Sequence, residues 1–399
     1  MKRTLFLACL VALALAACDR KQPPSAAGTS QDLAPDGTLV NPEARVVREP
    51  DPPSTIPARP ASASASAASV ISAAEQAVRD AGKALHTPDS GYDEEVTAIV
   101  NGFPAYAPTD SLQGGPIRIV GSDSMGPMLD MVGSRFQGMY PSVPVDVRQG
   151  GSARGLAALL KGECEFAAIS DDPTPEQVKA IEAATKKRVF IAPIAVDGVC
   201  MFVNRDNPIR SLTKAQCNGI LAITHSMAPN PILRWNELDP ALPLGSEFLP
   251  LYVLERGSGT MQAMIRWCMP GERVTTILCY EEPSPGSVVN ACCAYPLAIG
   301  VSGFGARQPR ARAVPLDDGR GPVEPTVATI RDRTYPVVRN LSLAFVAADE
   351  ASIPPRLVEF LQYAWSTDGQ DAVATLRVVP PTLDMMPAFI GTPTDGFWK

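Results

Sequence analysis

Ile117–Met125 (IRIVGSDSM), Val143–Gly155 (VPVDVRQGGSARG) and Leu249–Met261 (LPLYVLERGSGTM) repeat one device. In each, a β-like run ends in a small Gly/Ser loop and passes into a helix. Each loop sets a hydroxyl at the helix start: Ser124, Ser152, and Ser258 with Thr260. A helix start carries unpaired backbone N–H groups and the positive end of the peptide dipoles, so it favours an anion. One such serine alone is explained by capping, which stabilises a helix by about 1 kcal/mol. Three after strands point to one small oxyanion held from several sides.

Working outward, β-like runs recur at Ile117–Val120, Val143–Val147, Glu165–Ile169, Phe190–Ile194 and Val199–Val203. Between them lie helical stripes: Met128, Leu129, Val132 and Phe136; Leu156, Leu159 and Leu160; Val178 and Ile181. The alternation predicts an α/β fold with parallel sheets and helices on both faces, binding ligand outside the carboxyl ends of the strands. Pro355–Leu376 reads as one long helical segment. Ahead of the core, residues 18–66 are Pro, Ala, Ser and charge without periodicity, a disordered tether. Residues 67–114 form an extension with one amphipathic helix, Ala67–His86, whose apolar positions fall at spacings of three and four.

The 399 residues allow a large core, and two domains are the expectation. With 35 basic against 42 acidic residues and a net charge of −7, nucleic acid is excluded as a partner. A local site of dipoles and donors can still hold an anion. Residues 1–17 read as a signal peptide: Met1-Lys2-Arg3, then an apolar run too short to span a bilayer. It closes on Leu15-Ala16-Ala17-Cys18, which matches the lipobox of bacterial lipoproteins. Cys18 is then the lipidation site, and lipid chains tether an otherwise periplasmic protein to the membrane. Asp19 resembles the signal that retains such proteins in the inner membrane. Seven cysteines remain, more plausibly disulfides than metal ligands in an oxidising compartment, with Cys268–Cys279 the first candidate bridge. Only His86 and His225 are histidines and there is no CxxC, so neither a zinc site nor a cofactor is expected.

VGSDSM (Val120–Met125) and Met139–Ser170 resemble the start of substrate-binding proteins of the Pst-type phosphate ABC importer. The resemblance continues through Ile194–Leu221, RGSGTMQAM (Arg256–Met264), Pro285–Gly305, RTYPVVRNLSLAF (Arg333–Phe345) and Glu359–Pro380, in the family's order. It implies a two-lobe type II periplasmic binding protein with two hinge strands, closing on the anion like a trap. Lobe 1 would take residues 115–199 and 341–399, and lobe 2 residues 200–340. The implied phosphate ligands are Ser124 and the Met125 backbone, Ser152, Ser258, Gly259 and Thr260. Ser170 or Asp171 supplies another. A carboxylate there accepts the proton that monohydrogen phosphate carries and sulfate lacks.

One departure matters. Many family members place an arginine three residues before Gly-Ser-Gly-Thr, where a fork of donors can hold phosphate. Here that residue is Leu254. Arg256 or Arg154 is the replacement that the sequence offers. The reading is a monomeric, lipid-anchored receptor that delivers inorganic phosphate to an ABC importer permease. The alternatives are a degenerate relative with a structural, adhesive or sensory role, and a serine hydrolase or phosphatase. Against the enzyme, no GxSxG elbow occurs and neither histidine is placed as a base.

Overall fold

A computed structural model of the chain describes residues 92–391. The expected signal peptide, Cys18, the tether and the Ala67–His86 helix lie outside the described residues. The main sheet is built from β1 (Ile117–Gly121), β2 (Val145–Gln149), β3 (Phe166–Ile169), β4 (Arg188–Asn204), β5 (Leu251–Leu254), β6 (Cys279–Glu282), β7 (Ile299–Gly303), β8 (Ala311–Val314) and β9 (Val338–Ala347). Its order is β2-β1-β3-β9-β4-β7-β5-β6, with β8 also on β4. The longer helices are α1 (Tyr92–Val100), α2 (Gly126–Met139), α3 (Ser152–Lys161), α4 (Pro175–Thr185), α5 (Lys214–Leu221), α6 (Gly259–Cys268), α7 (Pro285–Ala294), α8 (Pro355–Ala364) and α9 (Thr367–Thr375).

The expected parallel pairing holds at both ends of the sheet and fails in its middle. β1 is parallel to β2 and β3, and β5 to β6 and β7. β4 and β9 are antiparallel to each other and to their other neighbours. The two runs expected at Phe190–Ile194 and Val199–Val203 are one 17-residue strand. Its polar interval survives as strand because each half pairs with different partners: the first with β9, the second with β7 and β8.

That long strand also passes between two cores. Ile194 and Ala195 pack with Ile117, Phe136, Phe166 and Phe360, whereas Val196 and Val199–Val203 pack with Trp235, Met264 and Val301. β9 changes over in the same way, between Val338 and Leu341. The two strands are therefore shared, and polar residues in the changeover sit between two apolar masses.

Met128, Leu129, Val132 and Phe136 are all buried on α2, as their spacing requires. Leu156 and Leu159 are buried on α3, while Leu160 is exposed. Pro355–Leu376 is two helices, because buried Trp365 ends α8 and Ser366 caps α9, accepting from the Gly369 amide at 3.2 Å. α1 was not anticipated. It buries Val96 and Val100, one turn apart, in the second core. The seven described cysteines are free thiols, so the expected Cys268–Cys279 bridge is not formed. Cys268 faces inward from α6 and donates to the Met264 carbonyl, while Cys279 opens β6.

Candidate functional site

Each of the three loops leaves a strand end and opens a helix, but the hydroxyls are used differently. At the first, Met125 occupies the cap position of α2 and no side chain caps the helix, so Ser124 is free of that task. At the second, the cap is Gly151, at φ 85°, a conformation that glycine adopts without penalty. Ser152 is then the first helical residue, and its Oγ lies 3.2 Å from Ser170 Oγ and accepts from the Ser170 amide at 3.1 Å. At the third, Ser258 does cap α6, accepting from the Met261 amide at 3.3 Å, and keeps its own O–H to donate. The amides of Gly259 and Thr260 open that helix, where the geometry provides no intrahelical acceptor.

The loops meet. Ser122, Ser124, Ser152, Ser170, Ser258 and Gly259 all line one cavity of about 210 Å³. Gly259 lies so close to the end of β3 that a Cβ there would sit 2.2 Å from Ser170 Oγ. No larger residue fits without parting the two loops. Two buried oxygens lack a hydrogen-bond partner: Ser122 Oγ, whose residue lines the cavity, and Thr260 Oγ1, whose residue follows Gly259 but does not itself line it. A buried hydroxyl without a partner costs free energy unless something meets it. Ser122 escaped the sequence reading, which stopped at the hydroxyl nearest the helix. The Met125 amide is not among the free donors: it donates to the Ser122 carbonyl at 3.2 Å.

The charged candidates are placed elsewhere. Arg256 turns from the cavity and pairs with Glu281 at 2.9 Å, both half-exposed. Arg154 is exposed and lies over Gly150. Asp171 engages Arg266 of α6 through both its oxygens. The cavity wall also carries Leu254 and the carboxylates Asp123, Glu255 and Glu282. Asp123 accepts from the Gly150 amide at 2.9 Å, and Glu255 is exposed, where solvent and salt screen its opposition to an anion.

The buried cation is one that sequence reading missed, Arg339 on β9. It stands opposite Asp197 of β4 in the strand register, inside the changeover between the cores. Nη2 and Nε donate to Asp197 Oδ2 at 2.8 and 3.2 Å. Nη2 also reaches Ser124 Oγ, and Nη1 the Ser170 carbonyl, each at 3.4 Å. A signal was present: Asp197 is the one charge between Val189 and Val203 of β4, and Arg339 the one charge in β9. Buried charges of that kind require a partner.

The family model described as PBP superfamily domain matches residues 74–368. The phosphate-binding protein PstS of Pseudomonas aeruginosa is 25% identical over 294 residues, 73% of this chain and 90% of that one. Protein SphX of Synechocystis is 24% identical over 66% of this chain and 78% of its own. Among solved structures, a putative phosphate ABC transporter substrate-binding protein with bound phosphate from Clostridium perfringens superposes with a TM-score of 0.55 at 24% identity. It covers 67% of this chain and all of its own. An ABC-type phosphate transport receptor from Vibrio cholerae gives 0.53 at 20%, over 66% of this chain and all of its own. At these identities the structures speak for the fold.

Proposed function

The chain belongs to the PBP superfamily, and we propose that it is a receptor that binds inorganic phosphate between its two lobes and delivers it to an ABC importer permease. The observation that carries the reading is the meeting of three hydroxyl-bearing helix starts in one cavity, with a buried arginine behind them. Ser124, Ser152, Ser170, Ser258, Gly259 and Thr260 are the proposed ligands, with Ser122 added. About six to eight hydrogen bonds to a charged oxyanion, less ordering costs, are enough for a micromolar constant near −8 kcal/mol. The names of the relatives support phosphate as the anion.

The remaining parts of the reading are proposals of the same kind. The lobes would be residues 115–199 with 341–399, and residues 200–340; the changeover of cores along β4 and β9 supports a hinge there. Lipid attachment at Cys18, with Asp19 favouring the inner membrane, would hold the receptor at the periplasmic surface beside its permease. It would bind and release its ligand unchanged, not transform it.

Isothermal titration of the ligand-stripped full chain with phosphate and then sulfate tests this. Micromolar binding of phosphate alone is the expected result. Preference for sulfate keeps the fold and moves the specificity. A second reading, a relative that has lost transport, is favoured by Leu254 and by Glu255 and Glu282 on the cavity wall; binding of neither anion would establish it.

A further inference from the structure

We propose that residues 92–106, α1 and the segment that follows it, are a strap that ties the two lobes together and holds the cleft closed before an anion enters. This rests on the two-lobe oxyanion reading and goes beyond it, since no residue of the strap is a proposed ligand.

The first support is that the strap enters both cores. Val96 and Val100 are buried in the second core, Phe103 is buried in the first, and Ile99 packs against both. α1 touches α9 of lobe 1 and the short helix Val327–Arg331 of lobe 2. The second support is that the strap has no slack. The Phe103 amide donates to the Val100 carbonyl, and the Gly102 amide to the Ile99 carbonyl, each at 3.0 Å. Backbone this tight fixes the spacing of the two attachments, so the lobes cannot part without pulling one of them out. From Phe103 onward the strap is fastened to lobe 1. The Phe103 ring lies 5.9 Å from that of Trp365, and the Phe103 and Pro104 carbonyls accept from the Thr367 hydroxyl and amide, each at 2.8 Å. Tyr106 donates to buried Glu359 at 2.5 Å. The grip of Val96 and Val100 on the second core is apolar burial, which has no directional bond to hold it once the lobes move. The third support is the state of the cleft. Gly259 of lobe 2 abuts Ser170 of lobe 1, and Arg266 engages Asp171 across the same gap. The lobes therefore meet while Val96 and Val100 are seated.

An anion that needs the closed cleft binds in proportion to the fraction of receptor already closed. The strap keeps that fraction high, and opening requires Val96 and Val100 to leave the second core. The test is amide hydrogen exchange on the ligand-free full chain, then titration with inorganic phosphate, with melting temperature recorded for each variant. Val96→Ala with Val100→Ala should speed exchange at residues 122–124 and 258–260 by about tenfold. It should weaken phosphate by about the same factor, as a closed fraction of about one in ten requires. Phe103→Leu, at the other end of the strap, should act in the same direction. Leu357→Ala removes comparable bulk from the first core outside the strap. It should lower the melting temperature and leave cleft exchange and phosphate affinity as in the parent. Faster exchange confined to α1 in the double variant, with phosphate binding within about twofold of the parent, overturns the strap. A parent chain that binds no phosphate overturns the oxyanion reading instead, and the exchange comparison still decides the strap because it needs no ligand.

Discussion

Two aspartate–arginine pairs flank the same cavity and differ in nearly everything but chemistry. Asp171–Arg266 joins the loop after β3 to α6 at the rim, with side chains 15% and 55% exposed. Asp197–Arg339 joins β4 to β9 beneath the loops, with side chains 6% and 1% exposed. At the rim, water reaches both partners, Arg266 more than Asp171, so such a pair is worth about 1 kcal/mol and salt weakens it. Beneath the loops, each charge depends on the other, and any charge that enters the cleft is felt at low dielectric. The lesson is that a charged residue's role is set by what surrounds it. Asp171 lies beside the predicted ligands in sequence, yet both its oxygens are taken up by Arg266.

The largest break in this comparison should come from Arg339→Ala. It strands Asp197 and should cost about 3–5 kcal/mol in urea unfolding, whereas Arg339→Met with Asp197→Asn, which leaves no charge unpaired, should recover most of the loss. A cost below about 1 kcal/mol would mean that the buried pair behaves like the rim pair. Thr260→Val should weaken phosphate by about tenfold in calorimetry. The same change should leave the ligand-free melting temperature unchanged or higher, because Thr260 Oγ1 has no partner to lose.

A third carboxylate sharpens the contrast, since Glu272 is held by neutral donors. Burial raises its pKa, but hydrogen bonds from Ser226, Thr224 and Asn218 outweigh that and bring it down to about 2. Its folded value lies below the unfolded one of about 4.3. Its contribution to stability is therefore full above that pH and is lost as pH falls toward about 2. Denaturation at stepped pH should show that slope, and Glu272→Gln should flatten it. The smallest effect belongs to the rim. Asp171→Asn should change stability by less than about 1 kcal/mol and leave the phosphate-to-sulfate preference unaltered. A shifted preference would return selectivity to Asp171.

Much of the fold was legible because it is written at short range. The α2 stripe of Met128, Leu129, Val132 and Phe136 follows from helical period alone, and all four are buried. Gly150-Gly151-Ser152 and Gly257-Ser258-Gly259 announced tight strand-to-helix turns, and both occur. Other features were not local. The break at Trp365 and Ser366 depends on packing beneath α8, and the single long β4 depends on having different partners on its two halves. Nor could the site's charges be assigned along the chain, because exposure decides them and exposure is a property of the packed molecule.

By itself, the sequence determined the alternation of strand and helix, the three hydroxyl-bearing helix starts and the absence of an arginine at position 254. Each is a matter of neighbours along the chain, where period, turn chemistry and caps act over a few residues. Only the tertiary structure decided which charges stand behind those loops. Asp197 and Arg339 are 142 positions apart and meet through strand register. That register is set by burying two cores at once, and the Coulomb energy of the pair then depends on distance and dielectric, which no local pattern records.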